Sequence, residues 1–168
     1  MTRYAIIVAG GSGTRFGSEM PKQFLPLAGK TVLMQTITHF AAVPDTKIIV
    51  VIPASARELW TKLCLEHKFS IEHALVDGGS SRFESVKNAL ITIKPCPGDL
   101  IAVHDAVRPL IGPEHIERIF NEAARHGSAI PVVNVTDSIR QVGDDGNSIA
   151  LSRAALRAVQ TPQTFRAD

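Results

Sequence analysis

Hydrophobic positions along the chain fall into short continuous runs separated by longer stretches with helical spacing. Runs rich in Val, Ile, Leu and Ala predict strands at residues 4–9, 47–52, 72–76, 99–104 and 128–133. Between them the apolar positions recur at three and four residues. Val32, Leu33, Thr36, Ile37 and Phe40 share one helical face, and Leu59, Trp60, Leu63 and Cys64 share another. Val86, Ala89, Leu90 and Ile93 form a third stripe, and Ile116, Ile119, Phe120 and Ala123 a fourth. Continuous apolar strands alternating with amphipathic helices predict an α/β fold, a mainly parallel sheet with helices on both faces and right-handed crossovers. In such sheets ligands bind beyond the carboxyl ends of the strands.

The pattern changes after residue 134. NVTDSIRQ reads as an extended segment, Gly143 to Asn147 as a turn, and Ser148 to Leu151 as a return strand. A β-arm over about 135–152 is therefore expected to project from the single domain spanning 1–168. A two-stranded hairpin alone is barely stable in water, so it is expected to pack on something, a partner subunit being a good candidate.

The chemistry concentrates at the predicted strand ends. After the first strand, Gly10, Gly11 and Gly13 let the backbone turn sharply and bring N–H groups close to an anion, with Arg15 and Lys22 following. This pattern points to a nucleoside triphosphate; a tight strand-to-helix turn flanked by two solvated cations is the plainer alternative. The turn is not a P-loop, because no lysine followed by Ser or Thr comes directly after its last glycine. Nor is it a dinucleotide fingerprint, because Phe16 stands at the final glycine position.

After the third strand, Asp77-Gly78-Gly79-Ser80-Ser81-Arg82 leads into a helix with Ser85 in its first turn, where a helix N-terminus favours an anion or a sugar. After the fourth comes His104-Asp105-Ala106-Val107-Arg108-Pro109. Asp105 there is placed to hold Mg²⁺ or to cap a turn, and Arg108 to bind a phosphate or to pair with a nearby acid. No serine in a nucleophile-elbow context accompanies His104, which reads as structural.

Composition narrows the classes. With 168 residues, 45% of them hydrophobic, the chain can bury a real core, and no apolar run is long enough to span a membrane. The net charge of +2, scattered basic residues and few aromatics speak against a nucleic-acid surface. No charged-then-apolar leader precedes the first strand, and Cys64 and Cys96 lie far apart; a cytoplasmic protein without disulfide or metal use of its thiols is expected.

Five motifs in order carry a family resemblance: A-G-G-x-G-T-R with P-K-Q, D-G-G-x-x-R-x-x-S-V, V-H-D-A-x-R-P, V-x-D-S, and T-P-Q-x-F. From Tyr4 to about Phe165 the chain resembles the 2-C-methyl-D-erythritol 4-phosphate cytidylyltransferases, nucleotidyltransferases with a Rossmann-like sheet. The resemblance implies cytidylyl transfer from CTP to methylerythritol phosphate with Mg²⁺, releasing pyrophosphate, in a homodimer joined through the arm. It implies that Ala9, Gly10, Gly11, Gly79, Ser85, Asp105 and Ala106 line the nucleotide site, with Asp105 near the metal. Arg15 and Lys22 would hold the triphosphate, and Arg108, Ser138, Arg153 and Thr161 the sugar phosphate, with Arg153 also counted as catalytic. Ser138 stands where threonine is common and keeps the hydroxyl. Relatives continue for several tens of residues past the position of Asp168, with an acidic D-E-A segment and a later active-site lysine. A shortened chain with an exposed sheet edge or apolar patch is expected on that basis. Two other readings stay open: a ribitol 5-phosphate cytidylyltransferase, which shares every motif quoted, and a non-catalytic nucleotide-binding or dimerisation module, which a shortened chain would favour.

Overall fold

The structure, a computed structural model, describes residues 1–10 and 20–167. Gly11, Gly13 and Arg15 lie outside the described residues. In chain order the strands are β1 (Arg3–Val8), β2 (Pro26–Leu27), β3 (Lys30–Thr31), β4 (Thr46–Ile52), β5 (Ala74–Asp77), β6 (Leu100–Asp105), β7 (Ser128–Ala129), β8 (Val132–Asn134), β9 (Ile139–Val142), β10 (Ser148–Leu151), β11 (Arg157–Val159) and β12 (Gln163–Arg166). The helices are α1 (Val32–Ala41), α2 (Arg57–Glu66), α3 (Arg82–Ile93) and α4 (Pro113–His126).

The main sheet runs in the order β5-β4-β1-β6-β12-β7. Its first four strands are parallel, while β12 joins β6, and β7 joins β12, antiparallel. Alternation along the strands sorts side chains to two faces. Ala5, Ile7, Ile48, Val50, Ile52, Leu100 and Ala102 point to the face covered by α1, α2 and α4, where Phe40, Trp60, Ile116 and Phe120 close the larger core. Ile6, Ile49, Val51, Val76 and Ile101 point to the other face, where Ala89, Leu90 and Ile93 of α3 meet them. The four helical stripes read from the sequence are thus the core-facing surfaces. Cys64 packs against the larger core, and burial pushes its thiol above the ordinary range.

Two departures from the sequence reading have plain causes. The single strand expected at 128–133 is broken at Ile130–Pro131, so that β7 pairs with β12 and β8 pairs with β11. Proline lacks the N–H a continuous ladder needs. The strand expected from residue 72 starts at Ala74, because His73 turns its ring to the Ile71 carbonyl and to Trp60.

The chain fills β1, β4 and β5 outward in one direction, then returns through α3 to place β6 on the other side of β1. Strand order therefore reverses between β1 and β6, and the crevice at their carboxyl ends is where such sheets hold ligands. Beyond the sheet, β9 and β10 form a hairpin of their own.

Candidate nucleotide site

Register builds the floor of this crevice. Val8 is paired with Asp105, so Ala9 and Ala106 emerge side by side just past the strand ends. Ladder hydrogen bonds fix both: Ala9 N–H donates to the Val51 carbonyl at 2.8 Å, and Ala106 N–H to the Val8 carbonyl at 3.0 Å. Two buried side chains hold the same backbones from below. Gln23 donates its amide to the Ala9 carbonyl at 2.7 Å, and the Thr36 hydroxyl donates to the Ala106 carbonyl at 2.8 Å. Gln23 belongs to a short 3-10 turn, Lys22–Phe24, whose Phe24 is buried against Trp60. Lys22 thus opens a turn anchored by both following residues.

The wall comes from the start of α3. Ser81 caps the helix by accepting from Glu84 N–H at 3.1 Å, and Glu84 accepts in turn from Ser80 N–H at 2.7 Å and from the Ser80 hydroxyl. These bonds hold the Glu84 carboxyl below the usual carboxylate range. Ser85, buried, donates to the Ser81 carbonyl at 2.9 Å and accepts from Gly79 N–H at 3.1 Å. A Cβ added to Gly10 would lie 3.7 Å from the Ser85 hydroxyl oxygen, and one added to Gly78 would lie 3.3 Å from it. The β1 and β5 loops thus converge on one hydroxyl. At Gly79 a Cβ would lie 2.3 Å from Glu84 Cβ, so only glycine fits beside this cap.

The rim is charged. Asp105, half-buried, receives Arg82 Nε at 3.3 Å on one oxygen and Arg108 Nε at 3.2 Å on the other. Arg108 also donates to Gln160 Oε1 at 2.6 Å. Beneath the rim lies His104, fully buried, with Nε2 3.0 Å from the Arg108 carbonyl oxygen and Nδ1 3.0 Å from the Thr161 hydroxyl. Burial pulls its pKa from the ordinary 6.5 down to about 4, so the ring is neutral at physiological pH.

Ala9, Gly10, Gly79, Ser85, Asp105, Ala106 and Arg108 meet around the crevice, with Thr161 buried behind it, donating to His104 and accepting from Asp105 N–H at 3.3 Å. Ser138 and Arg153 belong to the arm: Ser138 is exposed beside β9, and Arg153 donates to the Thr136 carbonyl at 2.7 Å. Sequence reasoning gave no role to Arg82, Gln160, Gln23 or Thr36. Gln23 and Arg82 stand inside motifs it quoted, and Gln160 stands next to one; Thr36 hid within an apolar stripe.

Among the described residues no group of three or more His, Cys, Asp and Glu could hold a metal alone. A single half-exposed carboxylate at a strand end suits an ion that takes most of its oxygens from a substrate's phosphates, and Mg²⁺ binds in that way. Among the described residues no helix is long and apolar enough to cross a membrane.

The profile of the family "IspD: 2-C-methyl-D-erythritol 4-phosphate cytidylyltransferase" matches residues 4–168. The enzyme of that name from Bacteroides thetaiotaomicron is 46% identical over 169 residues, covering 100% of this chain and 76% of the relative. That of Porphyromonas gingivalis is 46% identical over 166 residues, covering 99% of this chain and 73% of its own length. The crystal structure of the Thermus thermophilus cytidylyltransferase superposes with a TM-score of 0.73 at 28% identity, over 99% of this chain and 71% of that one. The 4-diphosphocytidyl-2C-methyl-D-erythritol synthase of Anaerococcus prevotii superposes with a TM-score of 0.80 at 25% identity, over 98% and 70%. Motif order, crevice geometry and these likenesses agree: the chain belongs to the 2-C-methyl-D-erythritol 4-phosphate cytidylyltransferase family.

Proposed function

We propose that this chain transfers a cytidylyl group from CTP to 2-C-methyl-D-erythritol 4-phosphate, releasing pyrophosphate, within non-mevalonate isoprenoid synthesis. The observation that carries the reading is the crevice at the strand-order reversal, where Gly10, the Ser85-gripped Gly78–Gly79 loop and Asp105 converge in a member of this family. Such a cradle of backbone N–H groups and small residues suits cytosine and ribose, and the α3 N-terminus favours oxygen-rich groups.

An oxygen of the acceptor phosphate attacks the α-phosphorus of CTP. The bond from that phosphorus to the bridging oxygen breaks, and pyrophosphate departs with the electron pair. Both reacting groups are anionic, so charge neutralisation and alignment dominate the barrier. Lys22, and Arg15 on the sequence reading, are assigned to the triphosphate, where they stabilise charge gathering on the α-phosphate. Asp105 would hold Mg²⁺ together with the nucleotide's phosphate oxygens; the ion supplies further neutralisation when bound. Arg108, Ser138, Arg153 and Thr161 are assigned to the acceptor side. Arg108 can turn its fork from Asp105 to a phosphate, since that ion pair is exposed and weak.

We assign the homodimer to the arm. Cross-strand register puts Ile139, Ile149 and Leu151 on one face, while Arg140 bonds Ser148 on the other. Ile149 is 64% exposed, an apolar group suited to a second copy of the chain. A reaction that draws on CTP belongs in the cytoplasm, the compartment we assign.

Pyrophosphate release tests the reading. Turnover is expected with CTP, Mg²⁺ and methylerythritol phosphate, and little with ribitol 5-phosphate. Faster release with ribitol 5-phosphate would replace the acceptor; CTP binding without release with either would leave a nucleotide-binding module.

A further inference from the structure

One buried polar chain joins Asp105, Thr161, His104 and Arg108, and of these only His104 has no substrate contact assigned above. It starts at Asp105 N–H, which donates to the Thr161 hydroxyl oxygen at 3.3 Å. That oxygen is 3.0 Å from His104 Nδ1, and His104 Nε2 is 3.0 Å from the Arg108 carbonyl oxygen. A carbonyl oxygen can only accept, so Nε2 carries the ring proton. The Thr161 oxygen already accepts from Asp105, and its own proton goes to the bare Nδ1. Every donor in the chain has an acceptor.

The chain is placed where a purely apolar side chain would have served packing. His104 is 0% exposed and lies against Phe40 with ring centroids 5.0 Å apart. Its two nitrogens instead bind two different loops, one following β6 at Arg108 and one preceding β12 at Thr161, the latter 57 residues from His104 in sequence. The guanidinium of Arg108 reaches the second loop as well, at Gln160. Arg108 is thus tied to that loop through His104 by its backbone and through Gln160 by its side chain.

We propose that His104 is a positioning residue: its ring, bonded through one nitrogen to the Arg108 carbonyl and through the other to Thr161, holds these two residues in register for the acceptor phosphate. The inference rests on the function proposed above. Being buried, His104 touches no substrate; it acts through Arg108 and Thr161.

Two substitutions divide the ring's roles. His104→Gln keeps an N–H within reach of the Arg108 carbonyl, and His104→Asn keeps an acceptor near the Thr161 hydroxyl. Each is expected to raise the acceptor KM roughly 10-fold or more, since small misplacements of positioning groups carry large kinetic penalties. CTP affinity, measured by calorimetry, is expected to change less than the acceptor KM, because the two groups the ring holds directly, the Arg108 carbonyl and the Thr161 hydroxyl, belong to residues assigned to the acceptor. Thr161→Val should reproduce the effect and Thr161→Ser should restore the wild-type value. Combining His104→Gln with Thr161→Val should be no worse than the more severe single change. Hydrogen exchange provides a readout without substrate: amides at 105–108 and 160–163 should exchange faster in the variants, with those of β1 and β4 unchanged. An unchanged acceptor KM in a folded variant overturns the inference, and so does an equal loss of CTP affinity. If the His104 variants do not fold, hydrogen exchange in Thr161→Val decides, because breaking the bond to His104 should quicken exchange at 105–108 and losing a substrate contact alone should not. If the wild-type chain does not turn over, the proposed function fails, and the exchange pattern alone upholds or overturns the latch.

Discussion

Lys22 and His104 show two opposite uses of a cationic side chain near one crevice. Lys22 is carried on a turn anchored by Gln23 and Phe24, and its assigned partner is the triphosphate. Lys22→Ala and Arg15→Ala are each expected to lower kcat by roughly 10²-fold or more, since one well-aimed donor is typically worth about 2.7–4 kcal/mol in the transition state. Normal turnover in both variants would remove the assigned role. His104, by contrast, is kept uncharged. Its folded pKa of about 4 lies below the ordinary 6.5, so the unfolded chain takes up the proton first as pH falls. Above pH 6.5 the group contributes no pH dependence; between 6.5 and 4 stability drops, by about 3 kcal/mol across the window. Denaturant midpoints at pH 7, 5.5 and 4.5 measure this slope, and His104→Gln should flatten it.

At the scale of elements, the α3 N-terminus does double duty. Ser80, Ser81 and Glu84 satisfy its first turn, and the same geometry sets the distance between the Gly78–Gly79 loop and Ser85. Gly79→Ala would drive its methyl into Glu84 Cβ, so either the cap or the loop must shift. A CTP affinity at least about 10-fold weaker is expected with the helix content retained, as a misplaced positioning element predicts. Calorimetry beside circular dichroism checks it; unaltered affinity would show that the loop does not seat the nucleotide.

For the whole molecule, the issue is how the arm is satisfied. One face carries Ile139, Ile149 and Leu151 beside Gln141, and the other carries Val142 and Ala150 beside the bonded Arg140 and Ser148. If a second copy covers the face with Ile149, Ile149→Glu should convert a dimer into a monomer in sedimentation velocity, while Val142→Glu on the opposite face should not. A wild-type chain that sediments as a monomer at micromolar concentration would remove the proposed dimer.

The alternation of apolar runs and helical stripes was enough to determine the α/β class, since side-chain period alone states which face of each element meets the core. That Gly10, Ser85 and Asp105 lie near one edge of the sheet was also legible, because each stands at or shortly after the end of a strand run and parallel strands end on the same side. Tertiary structure alone decided the rest. The antiparallel addition of β12 beside β6, the break at Pro131, the grip of Gln23 and Thr36 on the crevice floor, and the His104–Thr161 chain all join residues far apart in sequence. Local periodicity has no access to such pairs. A buried histidine or threonine shows what it does only when folding brings its acceptor within about 3 Å.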